Sequence, residues 1–153
     1  MSKLVFAIDD FSVVKSEIDY LIKKNWEDLA TDKDKIKLNP NWGFYETLNS
    51  AGYLGIYTAR SDGKLVGYFI AVATEHPHFR DHVFASNDVL YLDPDYRKGL
   101  AGYRLIKFVE DDLRAKGVSA LTITTKVHKP FDPVLERLGF NLAERVYSKY
   151  LGE

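Results

Sequence analysis

The feature that most restricts the fold of this chain is an amphipathic helix lying between two strand-like segments. Residues 100–116 carry Leu105 and Val109 on one apolar face at helical spacing, and the apolar segments 83–92 and 120–125 flank them. A helix that connects two neighbouring strands of one sheet forms a right-handed crossover, and strands joined in this way run parallel. We therefore expect 83–92 and 120–125 to be parallel strands.

The other elements predict antiparallel pairing around this crossover. Two β-rich runs within 53–75 are joined by Asp62-Gly63, the strongest short-range signal for a hairpin, and the turn HPHFRDH leads into the run 83–92. The sequence thus predicts an α+β (α/β) fold, one domain over 1–153 with a mixed, mostly antiparallel sheet of six to seven strands and about four helices. The remaining elements are a strand at 3–8, helices at 11–30, 40–52 (capped by Asn39 before Pro40) and 130–138, and a last strand or bulged pair of strands at 140–151.

Composition excludes several classes of function. Of the 153 residues none is cysteine, which excludes disulfides, thiolate metal ligands and a thiol nucleophile. The formal net charge of −1 gives no general attraction to nucleic acid or to an acidic membrane surface. No apolar run approaches the roughly 18 residues of a membrane span, and MSKLVFAIDD has too short an apolar stretch for a signal peptide. We expect a cytoplasmic protein without nucleic-acid or membrane partners.

The corner between the strand 83–92 and the helix 100–116 carries the segment RKGLAG. A helix N-terminus exposes unpaired N–H groups and a partial positive charge, and glycine lets a ligand approach the backbone closely. Gly99 and Gly102 with Arg97 and Lys98 therefore suit a phosphate group, but the same residues also suit a tight turn with a solvated basic face. The sequence contains neither a P-loop nor a Rossmann dinucleotide motif.

The segment LYLDPDYRKGLAGYRLIKFVE resembles the pyrophosphate-binding segment of the GCN5-related N-acetyltransferases (GNAT), and VLERLGF resembles their late helix and turn. The order of elements is similar along essentially the whole chain. The segments NWEDLA, GYLGIYTARSDGKLVGYF and ERVYSKYLGE also resemble members often encoded in phage genomes. The chain departs from the family in two places: its glycine pattern is altered, and Leu135 stands where many members carry a tyrosine that protonates the departing thiolate.

The resemblance implies direct transfer of an acetyl group from acetyl-CoA to a primary amine in a ternary complex, without a metal. It implies a sheet splayed between strands 4 and 5, where main-chain groups of the fourth strand pair with the pantetheine arm and the RKGLAG backbone holds the pyrophosphate. The residues expected to bind the cofactor are Leu90, Tyr91, Leu92, Arg97, Lys98, Gly99, Leu100, Ala101, Gly102 and Tyr103.

An attacking amine must first lose a proton, which calls for a base within reach. Asp88 is one candidate, because burial in the apolar context NDVLYL would strengthen its carboxylate as a base, although it also suits a structural strand-edge position. Glu75 and His76 at the end of the meander are alternatives, and His128 is a candidate acid or substrate contact. His78 and His82 are more typical of surface loop residues, and HPHFRDH is weak evidence for a metal.

The acceptor side of the site is less defined by the sequence. Trp42 and Tyr45 on the second helix suit either an acceptor pocket or core packing. The acceptor itself, a small-molecule or protein amine, is not indicated. A module of the same fold that binds acyl-CoA without catalysis is the alternative function, and a homodimer is compatible with the sequence.

Overall fold

The structure is a computed structural model, and it describes residues 3–152. Its centre is one five-stranded sheet in the order β1-β2-β3-β4-β5. The strands are β1 Leu4–Ile8, β2 Leu54–Ser61, β3 Lys64–His76, β4 Phe79–Leu92 and β5 Ala120–Thr122. The helices are α1 Phe11–Leu29, α2 Trp42–Ser50, α3 Ala101–Ala115 and α4 Asp132–Arg137, with a 3-10 turn at Pro94–Tyr96.

Strand pairing confirms the predicted mixture of directions. The first four strands pair antiparallel with their neighbours, and β4 pairs parallel with β5 through the crossover helix α3. The β2–β3 hairpin turns at Asp62 and Gly63, whose φ angles are +50° and +80°. Two successive left-handed residues match the right-handed twist of the strands that they join, which is why this dipeptide predicts a hairpin well.

Two apolar layers cover the sheet, one on each face. Alternation along β2 and β3 sends Ile56 and Tyr68 to the face covered by α1 and α2, and Tyr57 and Phe69 to the face covered by α3. All four side chains are at most 2% exposed. The sheet is therefore buried on both sides, and any site must lie at an edge, at an end or at a break in the strand pairing.

The helices begin where polar side chains cap them. Asp10 caps α1, since its carboxylate accepts from the Ser12 N–H at 2.9 Å. The cap of α2 is Asn41, whose Oδ1 accepts from the Phe44 N–H at 3.1 Å, so the expected cap at Asn39 was wrong by two residues. Among the helices in residues 3–152, none is long and apolar enough to cross a membrane.

The β3–β4 hairpin is longer than the sequence predicted, and β5 is shorter. The turn occupies only residues 77–78, so β4 begins at Phe79 instead of Val83. Irregular pairing explains the difference: Phe79 pairs with His76, but the next pair is Glu75 with Val83, and three residues bulge out between them. β5 ends at Thr122 instead of Thr125.

The prediction of six to seven strands was wrong, because the sheet of the described residues has five. Residues 140–151, expected to form the last strand or strands, pair with no strand. Strand formers need a neighbouring backbone to pair with as well as a favourable composition. The apolar side chains of this segment remain exposed: Leu142 78%, Val146 78%, Tyr147 88% and Leu151 85%.

Candidate active site

A slot opens between β4 and β5 towards the end of β4. The two strands pair only at Phe84–Ala120, Ala85–Leu121 and Ser86–Thr122. Directly beyond the last pair, the Asn87 side chain accepts from the Thr124 N–H at 2.9 Å and closes the base of the slot. From there to Leu92, β4 is paired only with β3 on its other side. An extended ligand can therefore pair with the free edge of residues 89–92.

A β-bulge lies at the base of this slot. Ile70 pairs with Val89 and Ala71 pairs with Asn87, so Asp88 is the extra residue of β4 and has no partner on β3. The Tyr45 hydroxyl of α2 donates to Asp88 Oδ2 at 2.5 Å. The bulge thus turns the Asp88 carboxylate towards α2. Asp88 is exposed, so the expected burial of this carboxylate was wrong.

The turn after β4 leaves backbone donors free at the start of α3. Gly99 has φ +61°, a conformation that favours glycine, and Leu100 caps α3 without a side-chain hydrogen bond. In residues 3–152 no protein acceptor takes the N–H of Gly102 or Tyr103. A Cβ added at Gly102 would meet nothing within 4 Å. Free donors beside open space suit a phosphate group, and binding of a phosphate by the RKGLAG segment stays a prediction.

The two basic residues of the turn differ in their surroundings. The Arg97 Nε donates to the Leu92 carbonyl at 2.5 Å, its guanidinium lies 5.2 Å from the Tyr91 ring centroid, and its Nη2 is 2.6 Å from Asp28 Oδ2. Arg97 therefore ties the turn to the end of β4, and Asp28 balances its charge. Lys98 is exposed and has no ion-pair partner within residues 3–152, so its charge is available to an anion at the turn.

Asp28 is a residue of this region that sequence reasoning missed. It also pairs with Lys129, from the turn after β5. Burial disfavours the charged carboxylate, but the hydrogen bonds from Lys129 and Arg97 outweigh burial and hold the pKa of Asp28 below its ordinary value. The partners are 69 and 101 residues away in sequence, so no local pattern could have indicated them. Asp28 links α1 to the ends of both strands that form the slot.

A cavity of about 340 Å³ lies beside the bulge, between α1, α2 and the sheet. Its polar lining consists of Asp88, Tyr45 and Asn41. Burial, and then the hydrogen bond to Asp88, raise the pKa of the Tyr45 hydroxyl above its ordinary value, so this hydroxyl remains a neutral donor. The apolar lining is Ile22, Pro40, Phe44, Leu48 and Val72.

Comparison with protein families identifies the family of this chain. The sequence matches the profile of the Acetyltransferase (GNAT) family over residues 16–140. The chain belongs to the GNAT acetyltransferase family. Among curated proteins, no sequence matches it significantly.

Solved structures share this GNAT fold along nearly the whole chain. An aminoglycoside acetyltransferase from an uncultured soil metagenomic sample, in complex with sisomicin, is 15% identical with a TM-score of 0.73, over 98% of this chain and 96% of that one. Glucosamine-6-phosphate N-acetyltransferase from Arabidopsis thaliana is 13% identical with a TM-score of 0.73, and the match covers 98% of this chain and 99% of that one. A predicted acetyltransferase with acetyl-CoA from Clostridium acetobutylicum is 8% identical with a TM-score of 0.71, and the match covers 97% of this chain and 96% of that one. Identities this low show the fold alone, and the resemblance to phage-encoded GNAT members stays a prediction.

The structure does not bring the other predicted catalytic residues of this GNAT to the bulge. His76 and Glu75 lie at the far end of β3, with His76 roughly 18 Å along the strand from the level of Asp88. His128 is exposed in the turn between Lys126 and Lys129. Within residues 3–152, no three His, Cys, Asp or Glu side chains are grouped as metal ligands would be. Chemistry without a metal stays a prediction.

Three further residues named from the sequence are Trp42, Tyr103 and Leu135. Trp42 does not line the cavity; its ring lies 6.0 Å from that of Phe11, at the margin of the core. Tyr103 stacks under the Arg137 guanidinium, 5.7 Å from it. Leu135 is half-buried on α4 and carries no ionisable group. The proton donor that many GNAT members have at this place is therefore missing here.

Proposed function

We propose that this protein is an N-acetyltransferase that transfers an acetyl group from acetyl-CoA to a primary amine by direct attack in a ternary complex. The observation that carries the proposal is the position of Asp88. It occupies a bulge at the base of the β4–β5 slot and also lines the adjoining cavity. A carboxylate at this junction reaches an amine in the cavity and stands next to the end of a ligand held in the slot.

The slot and the turn suit the two halves of acetyl-CoA. The free edge of β4 at Leu90–Leu92 offers main-chain groups to the amide-containing pantetheine arm. The free N–H groups at Gly102 and Tyr103, with Lys98 beside them, suit the pyrophosphate. Bound acetyl-CoA supplies an activated thioester carbonyl. The protein's part is to orient that carbonyl and to prepare the amine.

In the proposed reaction the ammonium group of the acceptor gives a proton to the Asp88 carboxylate. The nitrogen lone pair then attacks the acetyl carbonyl carbon, so that a C–N bond forms. As the C–S bond breaks, the nitrogen gives its second proton to solvent. The thiolate leaves with the electron pair of that bond. It takes up a proton from solvent, because Leu135 has none to give. The products are an N-acetylamine and free CoA, and the Asp88 proton returns to solvent.

Asp88→Asn tests this assignment. The amide cannot accept the proton, so kcat/KM for the amine should fall at least about a hundredfold and the acidic limb of its pH profile should disappear. Acetyl-CoA affinity, measured by calorimetry, should not change. Asp81→Asn is the matched control, since it removes an exposed carboxylate from the bulged segment 80–82 of the same strand. A nearly wild-type rate for Asp88→Asn would contradict the assignment and leave Glu75 or His76 as the candidate base.

A binding module without catalysis is the second candidate, and Leu135 is the observation that favours it. A protein of this kind would bind acetyl-CoA with the same residues but release no thiol with any amine. Steady-state thiol release across a panel of primary amines separates the two functions.

A further inference from the structure

The lining of the cavity beside the bulge combines one charged group, Asp88, with the polar side chains of Asn41 and Tyr45 and an apolar wall. Among residues 3–152, Asp88 is the only acidic residue in this lining, and no basic residue contributes to it. The side-chain oxygen of Asn41 already has a protein partner, because it accepts from the Phe44 N–H at the start of α2. The Tyr45 hydroxyl donates to Asp88. The charge available to a ligand among the described lining residues is thus concentrated at a single carboxylate, while the Asn41 side-chain amide keeps its N–H donors.

That carboxylate is oriented for one donor group. Its Oδ2 accepts from Tyr45 at 2.5 Å, and within residues 3–152 no side chain donates to Oδ1. The raised pKa of Tyr45 keeps its hydroxyl in the donating form. Oδ1 therefore keeps its lone pairs free to accept, and a carboxylate with this free capacity in the cavity lining suits one ammonium group.

The rest of the cavity suits an apolar group of limited size. A volume of about 340 Å³ is at the lower end of the range for small-molecule sites. Phe44 from α2, Ile22 from α1 and Val72 from β3 form walls that cannot hydrogen-bond. A polyamine or an aminoglycoside would bring further ammonium and hydroxyl groups against these walls, and polar groups that lose water without gaining a partner weaken binding.

We infer that the acceptor is a primary monoamine with an apolar or aromatic body, whose ammonium group binds Asp88 while its body packs against Phe44, Ile22 and Val72. This inference rests on the proposed acetyltransferase function and adds the class of acceptor. The amine-binding group and the base are then the same carboxylate, so an acceptor must fit the apolar wall in order to bring its nitrogen to Asp88.

An acceptor panel tests the inference on the wild-type protein with acetyl-CoA. The panel contains 2-phenylethylamine, ethylamine, spermidine and the aminoglycoside sisomicin. The kcat/KM for 2-phenylethylamine should exceed that for ethylamine at least about tenfold, because the phenyl ring leaves water when it binds. Spermidine and sisomicin should be no better than ethylamine. Equal rates for the two monoamines, or a preference for either polycation, would overturn the inference.

A pair of matched variants tests whether the preference for 2-phenylethylamine over ethylamine arises in the cavity. Phe44 and Tyr20 are each 60% exposed on a helix, but only Phe44 lines the cavity. Phe44→Ala should reduce the advantage of 2-phenylethylamine over ethylamine to about threefold or less. Tyr20→Ala should leave that advantage at its wild-type value. An unchanged advantage in Phe44→Ala would place the apolar body elsewhere and contradict the inference.

Failure of the proposed acetyltransferase function can be distinguished from failure of the inferred acceptor class. If no amine releases thiol, the acetyltransferase proposal fails, and calorimetric titration of the protein with the same four amines then tests the acceptor class alone. Binding of 2-phenylethylamine at least about tenfold tighter than ethylamine and spermidine, and weaker in Phe44→Ala, would support the inference. Equal binding of the monoamines, or tighter binding of a polycation, would overturn it.

Discussion

Gly102→Ala should stabilise this protein and weaken its binding of acetyl-CoA at the same time. Gly102 is the second residue of α3, and a Cβ placed there meets no atom within 4 Å. The substitution therefore causes no clash, and the better helix propensity of alanine should add about 0.5 kcal/mol to the free energy of unfolding. The new methyl group would occupy the open space next to the free N–H groups of Gly102 and Tyr103, where we place the pyrophosphate.

The size of the loss in affinity depends on charge as well as volume. A methyl group that keeps the phosphate at a greater distance from the two donors should raise the Kd for acetyl-CoA about threefold to tenfold, which corresponds to roughly 0.7 to 1.4 kcal/mol. Gly102→Glu adds a negative charge where the ligand carries two, so its Kd should rise about a hundredfold or more. Glutamate in the first turn of a helix is compatible with the helix dipole, so the variant should still fold.

Gly43→Ala is a matched control for these substitutions. Gly43 is also the second residue of its helix, α2, and an added Cβ would lie 3.6 Å from Asn41 Oδ1, which is an ordinary contact. This variant should gain similar stability and bind acetyl-CoA as the wild type does. Calorimetric titration and denaturant unfolding measure both quantities on the same samples. An unchanged acetyl-CoA affinity in folded Gly102→Glu would refute the placement of the pyrophosphate.

Two further predictions concern the aromatic residues of α2 and the pH dependence of stability. Trp42→Ala should lower the free energy of unfolding by about 2 to 4 kcal/mol with little change in the KM of the amine, because Trp42 packs on Phe11 outside the cavity. A raised KM in a protein of normal stability would instead assign Trp42 to the acceptor site. The pKa of Asp28 is lowered in the folded protein, so its contribution to stability is complete above the ordinary value of 3.8 and is lost as the pH falls through the lower folded value. The difference in unfolding free energy between wild type and Asp28→Asn should therefore stay constant above the ordinary value of 3.8 and shrink as the pH falls below it, and a difference that stays constant below this value would contradict the role of this carboxylate.

Local sequence patterns were enough to predict most of the secondary structure and strand pairing of this fold. Asp62-Gly63 indicated its hairpin because the turn conformation depends on those two residues alone. The helical spacing around Leu105 and Val109 indicated α3, and the rule for crossovers then gave the parallel pairing of β4 and β5. Each of these features is determined by residues that are close in sequence or by the general handedness of the chain.

The predictions that failed depend on pairing between distant segments. The bulge at Asp88 exists because Ile70 and Ala71 skip one residue of β4, and no pattern within β4 itself marks the skipped residue. Residues 140–151 have the composition of a strand, but a strand forms only where another backbone pairs with it. The exposure of Asp88 could not be read from its apolar sequence neighbours for the same reason, because the bulge sets the direction of its side chain.

Helix α1 connects the two sides of the candidate site. Ile22 on this helix forms one wall of the cavity, and Asp28, six residues later, pairs with Arg97 and Lys129 in the turns that follow the two strands of the slot. Arg97 in turn donates to the Leu92 carbonyl, where the free edge of β4 ends. A displacement of α1 would therefore alter both the cavity and the end of the slot. Because the interior of a protein is closely packed and deforms little, this helix gives the cavity and the slot a fixed relative position, which the proposed direct transfer between two bound substrates would require.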